Sequence, residues 1–212
     1  MIEYKIFTYK ESTICLFENT FTSGELAAEL DLPDYYLNEY EELKTEKRRK
    51  EYLGLRLALK QCANGLCKQV IYTSEFKPEV IDKSLNISFS HSRNWIAVMA
   101  HPSKNVGIDI EVPSDKFGKI FQKFLSDKEQ NDFDNGKNEE QLRLIWSAKE
   151  VLFKIIGNDA VNFSEQLRIF PFEVSEQGEF AAEHIPTGKK YTLNYELTDH
   201  YTLAFCVDDD IS

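Results

Sequence analysis

Apolar residues along this chain first alternate, then fall at helical spacing, then alternate again, and the cycle repeats. Residues 2–9 and 12–18 are rich in Ile, Tyr, Phe and Thr and predict two strands. Thr22 with Glu25 three places on forms a capping box that opens a short helix over about 24–30. A further helical stretch follows Pro33. Residues 45–62 set Leu53, Leu57 and Ala58 on one face and predict a stronger helix. Strands are expected at 70–74, 85–90, 95–100 and 106–111. Pro113 ends the last of these and can open a helix carrying Phe117, Ile120, Phe121 and Phe124. Ser126 and Glu129 form a second capping box, and 134–140, polar and containing Gly136, reads as a loop. The longest helix spans Glu139–Ile156, with Gly157 where a left-handed cap residue belongs. Strands return at about 167–174, 178–183, 190–197 and 201–207.

The two halves echo one another. Each ends in a hydrophobic strand after a turn, Arg93-Asn94-Trp95-Ile96-Ala97-Val98 and Asp199-His200-Tyr201-Thr202-Leu203-Ala204. This places a boundary near 104–106 and an expected active site between the halves, where ligand clefts often lie. The apolar share, 42%, is enough for a real core. The net charge of −11 argues against nonspecific nucleic-acid binding, which needs a basic surface. Cys62 and Cys67 lack a second Cys/His pair nearby, so free thiols are expected rather than zinc ligands. The N-terminus has no signal-peptide pattern and no apolar run approaches a membrane span, so a cytoplasmic, non-membrane protein is expected.

Four constellations could carry chemistry. In Gly107-Ile108-Asp109-Ile110-Glu111 the alternation of a strand puts both carboxylates on one face, a natural site for a hard cation. It is equally the pattern of a half-buried strand with a solvated acidic face. Trp146, Glu150 and Lys154 are spaced by four on the long helix, where Glu150 could add a third carboxylate and Lys154 could neutralise phosphate oxygens, or the two could form an ordinary helical ion pair. Ser88-Phe89-Ser90-His91-Ser92 offers donors suited to a phosphate, or a polar turn satisfying itself. Residues 44–60 carry a net +5, a concentrated basic patch on an acidic protein that suits a polyphosphate ligand, with Arg49 and Arg56 on one face.

Together with Lys77-Pro78 and Lys123-Phe124-Leu125-Ser126, these segments resemble the 4′-phosphopantetheinyl transferase superfamily, in order and rough spacing, and most resemble its two-lobed monomeric branch. The resemblance covers about residues 44–157. It implies an α+β fold of two similar α/β lobes in pseudo-two-fold arrangement, each a mainly antiparallel sheet packed on a long helix. Residues 1–105 would bind coenzyme A phosphates, and 106–212 would hold the metal and catalytic residues. It implies transfer of the 4′-phosphopantetheine group of coenzyme A to a serine of an apo acyl, peptidyl or polyketide carrier protein. By the same resemblance Asp109, Glu111 and Glu150 would hold Mg²⁺, Glu150 would be the base and Lys154 would sit on the pyrophosphate. Arg56, Lys77, Ser90 and His91 would bind the coenzyme, and Arg49 joins them from the basic helix. The chain departs from the family at Phe76, where a glycine is usual, at Leu55-Arg56, where Gly54 falls one place early, and at Ser88, usually Asn.

Lys116, Lys119 and Lys123 flank Phe117, Ile120 and Phe121, so the helix after Pro113 suits docking of an acidic carrier helix, with Lys116, Phe117, Lys119 and Ile120 nearest. The plainer expectation is a core of phenylalanines with solvated lysines. A monomer is expected, since two lobes in one chain can complete a site. The alternative is a non-catalytic module that binds coenzyme A or a carrier protein. The C-terminal Asp208-Asp209-Asp210 reads as a solvated tail.

Overall fold

The computed structural model describes residues 1–157 and 161–209. It divides into two compact units, Met1–Asn105 and Val106–Ser212. Both are α+β with antiparallel sheets, as the sequence leads one to expect.

The first unit runs β1 (Lys5–Tyr9), β2 (Ser12–Glu18), α1 (Ser23–Leu30), α2 (Asp34–Glu42), α3 (Glu46–Cys62), β3 (Val70–Tyr72), β4 (Pro78–Val80), β5 (Asn86–Ser92) and β6 (Trp95–His101). Its main sheet has the order β1-β2-β6-β5. Leu53, Leu57 and Ala58 of α3 pack with Cys15, Phe17, Ile96 and Val98 of the sheet and Leu26 of α1. Thr22 and Glu25 form the expected capping box. Gly54 lets α3 lie close to the turn after β2. A Cβ there would stand 2.9 Å from Asn19 Nδ2, which donates to the Lys50 carbonyl. The sequence reading missed β4, whose three residues begin with a proline and give too short a pattern to read.

The second unit runs β7 (Val106–Glu111), α4 (Lys116–Ile120), a 3₁₀ turn (Phe121–Lys123), α5 (Asp127–Asp132), a second 3₁₀ turn (Asp134–Gly136), α6 (Glu139–Ile156), α7 (Phe163–Gln166), β8 (Leu167–Ile169), β9 (Gln177–His184), β10 (Lys189–Leu197) and β11 (Thr202–Val207). The sheet order is β7-β11-β10-β9-β8. The amphipathic α6 lays Leu142, Ile145, Ala148, Val151, Leu152 and Ile155 into a core shared with Phe124, Leu167, Phe180 and Leu193. Gly157 takes φ 67°, ending the helix in the left-handed conformation expected of it. Three expectations need correction. The helix after Pro113 opens only at Lys116 and tightens to a 3₁₀ turn at Phe121. The strand expected to reach 174 stops at Ile169, two residues before Pro171. Asp208 is no solvated tail, because it pairs with Lys189 at 2.6 Å; Asp210 lies outside the described residues.

All four cysteines are free thiols, and Cys15, Cys62 and Cys206 are buried. Burial pushes the Cys15 thiol up to about 12 and raises that of Cys62 as well. Among the described residues no helix is long and apolar enough to cross a membrane.

Candidate active site

Strand alternation gives Gly107, Asp109 and Glu111 one common face, and that face looks at α6. A Cβ on Gly107 would sit 2.5 Å from the Val151 carbonyl oxygen. Only glycine lets the helix approach the strand so closely. Across this contact Lys154 Nζ donates to Asp109 Oδ1 at 2.9 Å and to the Ile108 carbonyl at 2.8 Å. The Trp146 ring fixes the rotation of α6, lodged among Phe117, Phe124 and Phe163 at centroid distances of 6.1, 5.3 and 5.8 Å. Glu150 and Lys154 follow one and two turns later on the same stripe.

The structure therefore gathers Asp109, Glu111, Glu150 and Lys154 into one electrostatic neighbourhood. Burial, then the charge of Asp109, pushes the Glu150 carboxyl up to about 7; Glu111 adds to the shift, and Lys154 and Lys116 oppose it. A raised carboxyl beside two others reflects burial first and then their negative charge. The carboxylate donors are all oxygen, which suits a hard divalent cation. Among the described residues, however, no three His, Cys, Asp or Glu side chains are drawn together tightly enough to hold an ion as they stand. Two lysines hold two of the carboxylates instead: Lys154 holds Asp109, and Lys116 holds Glu111 through both oxygens at 3.0 and 3.1 Å.

Lys149, adjacent to Glu150, has a different fate. It is fully buried, with its ammonium within 2.9 Å of Glu129 Oε2 and of the carbonyls of Phe124, Phe163 and Leu167. Glu129 is also the second partner of the Ser126 capping box and accepts from Ile169 N–H. The pair ties α6, α5 and β8 together. Phe117, expected near a docking surface, is completely buried, so it belongs to the core; Lys116 and Lys119 remain exposed on α4, and Lys119 pairs with Asp115 at 2.6 Å.

In the first unit the residues expected to bind the coenzyme separate into two groups. Arg56, expected to help bind the coenzyme, lies in the interior of the unit. It is 2% exposed, its guanidinium lies 3.2 and 4.6 Å from the ring centroids of Tyr52 and Tyr36, and it donates to the Tyr52 carbonyl and to Glu39. Arg49 donates to the Leu43 carbonyl and lies over Tyr40. The face these two arginines share turns toward the aromatic side of α2, which is why both are spent inside the unit. His91, by contrast, is exposed on β5 with Nδ1 3.8 Å from Glu51, while its neighbour Ser90 is buried.

Glu51 also lines a pocket of about 250 Å³ with Asn19, Lys47, Lys50, Arg93, Asn94 and Ile96. Sequence reasoning missed Lys47, Lys50 and Arg93 as a set. The signal available was an arginine one residue after Ser90-His91-Ser92, folded back by a turn in which Arg93 takes φ 51°. Lys77 sits in the β3–β4 hairpin, where its N–H and that of Glu75 donate to Thr73 Oγ1. Phe76 takes φ 57° and is 84% exposed, so the left-handed position where the family usually has glycine is here filled by a strained aromatic residue.

A strand with alternating carboxylates, backed by a helix carrying Glu150 and Lys154 on one stripe, is the site the superfamily resemblance implies. Residues 105–206 match the family model described as the 4′-phosphopantetheinyl transferase superfamily, a segment that contains β7, α6 and all four of these residues. The match makes this segment similar to that superfamily. A 4′-phosphopantetheinyl transferase of Bacillus subtilis is 31% identical over 140 residues, covering 64% of this chain and 59% of the relative. A Haemophilus influenzae protein, provisionally given the same name, is 27% identical over 141 residues, covering 64% of this chain and 57% of the relative. The chain thus spans under three fifths of each of these relatives.

Proposed function

We propose that this protein transfers the 4′-phosphopantetheine arm of coenzyme A to a serine hydroxyl of an apo carrier protein, releasing holo carrier protein and 3′,5′-ADP. The observation that carries this reading is the superfamily match over the segment in which Glu150, its carboxyl raised to about 7, stands beside Asp109, Glu111 and Lys154. The serine oxygen forms a new bond to the phosphorus that bears the pantetheine arm, and the bond from that phosphorus to the bridging oxygen of 3′,5′-ADP breaks. Glu150 takes the hydroxyl proton as general base. Lys154 carries positive charge to the pyrophosphate oxygens, where negative charge grows as the leaving group departs.

Asp109, Glu111 and Glu150 would hold Mg²⁺, which when bound supplies charge neutralisation for the pyrophosphate. Ser90, His91 and Lys77 serve coenzyme binding. The pocket of Lys47, Lys50 and Arg93 beside His91 offers three cations to a phosphate of the coenzyme. Lys116 and Lys119 give an acidic carrier helix two exposed ammonium groups on an otherwise acidic protein. The protein acts as a monomer in this reading.

The test is intact-protein mass spectrometry of apo carrier proteins of the fatty-acid, peptide and polyketide types, mixed with this protein, coenzyme A and Mg²⁺, with an EDTA control. The expected result is a phosphopantetheine mass gain on a carrier protein that EDTA abolishes. No gain on any of them while coenzyme A still binds overturns the transferase reading in favour of a regulatory binding module.

A further inference from the structure

Glu111 closes β7, and Lys116 opens α4 five residues later. The Lys116 ammonium reaches both carboxylate oxygens of Glu111 and lies over the ring of Phe117, 4.6 Å from its centroid. Because Phe117 is completely buried, the base of the Lys116 side chain is fixed while its tip is exposed. The second unit thus supplies two ammonium groups of its own, Lys116 and Lys154, to the three carboxylates Asp109, Glu111 and Glu150. The two contacts differ in strength of anchoring. Lys154 is also held by the Ile108 carbonyl and is 23% exposed, whereas the Lys116 side chain is 47% exposed.

We propose that Lys116 is a resident counter-ion of Glu111 which a divalent cation displaces, so that filling the cation site frees the Lys116 ammonium for an acidic partner. This rests on the reading that Asp109, Glu111 and Glu150 hold a cation. An exposed lysine–carboxylate pair adds little net stability, so breaking it costs little. A dication places twice the charge against Glu111 and also engages its neighbours, so it outcompetes a single flexible ammonium. Once Glu111 is taken by the cation, Lys116 meets the nearby positive charge as a like charge and swings to solvent. The consequence is an order of events: without the cation, Glu111 and an acidic partner compete for the same ammonium, and with it the partner has that ammonium to itself.

α4 contains its own control. Lys119 is a lysine on the same helix in a more exposed pair, and its partner is Asp115, which is outside the carboxylate trio. The experiment is a titration of the full chain with Mn²⁺ alone, followed by the electron paramagnetic resonance of the free ion, for the unaltered protein, Lys116→Met and Lys119→Met. Lys116→Met should bind Mn²⁺ about ten-fold tighter, because a competing charge has gone, and Lys119→Met should stay within about two-fold of the unaltered protein. In parallel, acylation of the unaltered protein with a water-soluble N-hydroxysuccinimide ester, read by peptide mass, should speed up at Lys116 and not at Lys119 when Mg²⁺ is added. Equal Mn²⁺ affinity in the unaltered protein and Lys116→Met, or equal tightening in both variants, overturns the displacement of Lys116 while leaving the cation site standing. No Mn²⁺ binding by any of the three overturns the cation site itself.

Discussion

Helix α6 carries two lysines five residues apart, each paired with a carboxylate, and they are opposites. Lys149 and Glu129 are wholly buried, and every capacity of the pair is used: four acceptors surround the ammonium, and the carboxylate also caps α5 and receives Ile169 N–H. Lys154 is 23% exposed while Asp109 is buried, so this pair is open to solvent on the lysine side. A saturated buried pair has nothing left to offer a ligand, and removing either half strands a charge in the interior. A pair whose ammonium reaches solvent can exchange partners. The lesson is that ion pairs on one helix must be sorted by how completely they are satisfied before any is assigned to chemistry.

The sharpest way to break this contrast is to delete each lysine. Lys149→Met should cost about 3–5 kcal/mol of stability in a urea melt, because Glu129 is left unpaired in the core. Lys154→Met should cost less stability than Lys149→Met, because the Lys154 ammonium reaches solvent, while slowing transfer by roughly 100-fold or more. If the two variants lose equal stability, the contrast is void. Gly107→Ala should cost about 2–3 kcal/mol, since the methyl group meets the Val151 carbonyl and levers α6 from β7. It should also lower the proton affinity of Glu150 by carrying it away from Asp109, a change visible in the carboxyl ¹³C titration.

Glu150→Gln sharpens the contrast from the other side. The folded carboxyl titrates near 7 against an ordinary value of 4.5, so the native state holds a proton that the unfolded chain gives up in that window. Stability of the metal-free protein therefore falls as pH rises from about 4.5 through 7. The variant lacks this loss. Its melting temperature in EDTA should exceed that of the unaltered protein at pH 8 but not at pH 5, by on the order of 2 kcal/mol in stability terms. A constant difference across pH would remove Glu150 from the carboxylate trio. The smallest effect should come from Phe76→Gly, which relieves a left-handed backbone but adds freedom to the unfolded chain, for a net gain of at most about 1 kcal/mol. It calibrates what an exposed residue with no pairing duty is worth.

Much of this was legible in the sequence. β7 and α6 were placed with their observed ends because local signals agreed there: strict alternation in one, and an amphipathic stripe closed by Gly157 in the other. The same periodicities put Asp109 and Glu111 on one strand face and Glu150 and Lys154 on one helix stripe. What sequence spacing could not supply were partners distant along the chain. Lys149 lies 20 residues from Glu129, and nothing in the pattern distinguishes it from a solvated lysine. Arg56 looked like a ligand-facing cation because its stripe on α3 was known and the tyrosines opposite it were not. The Lys47, Lys50 and Arg93 pocket was hidden because a turn, rather than a repeat, brings Arg93 to α3.

The placement of the cysteines bears on the proposed substrate. Coenzyme A ends in a thiol, and its oxidised disulfide forms exchange readily with accessible protein thiolates. Cys15 and Cys62 are sealed in the first unit's core with their proton affinity raised, so at neutral pH they present neither a nucleophile nor a target. Cys206 is buried in the second. With three of its four thiols sealed and Cys67 part-exposed, the protein offers a sulfhydryl-tipped molecule few places for covalent trapping.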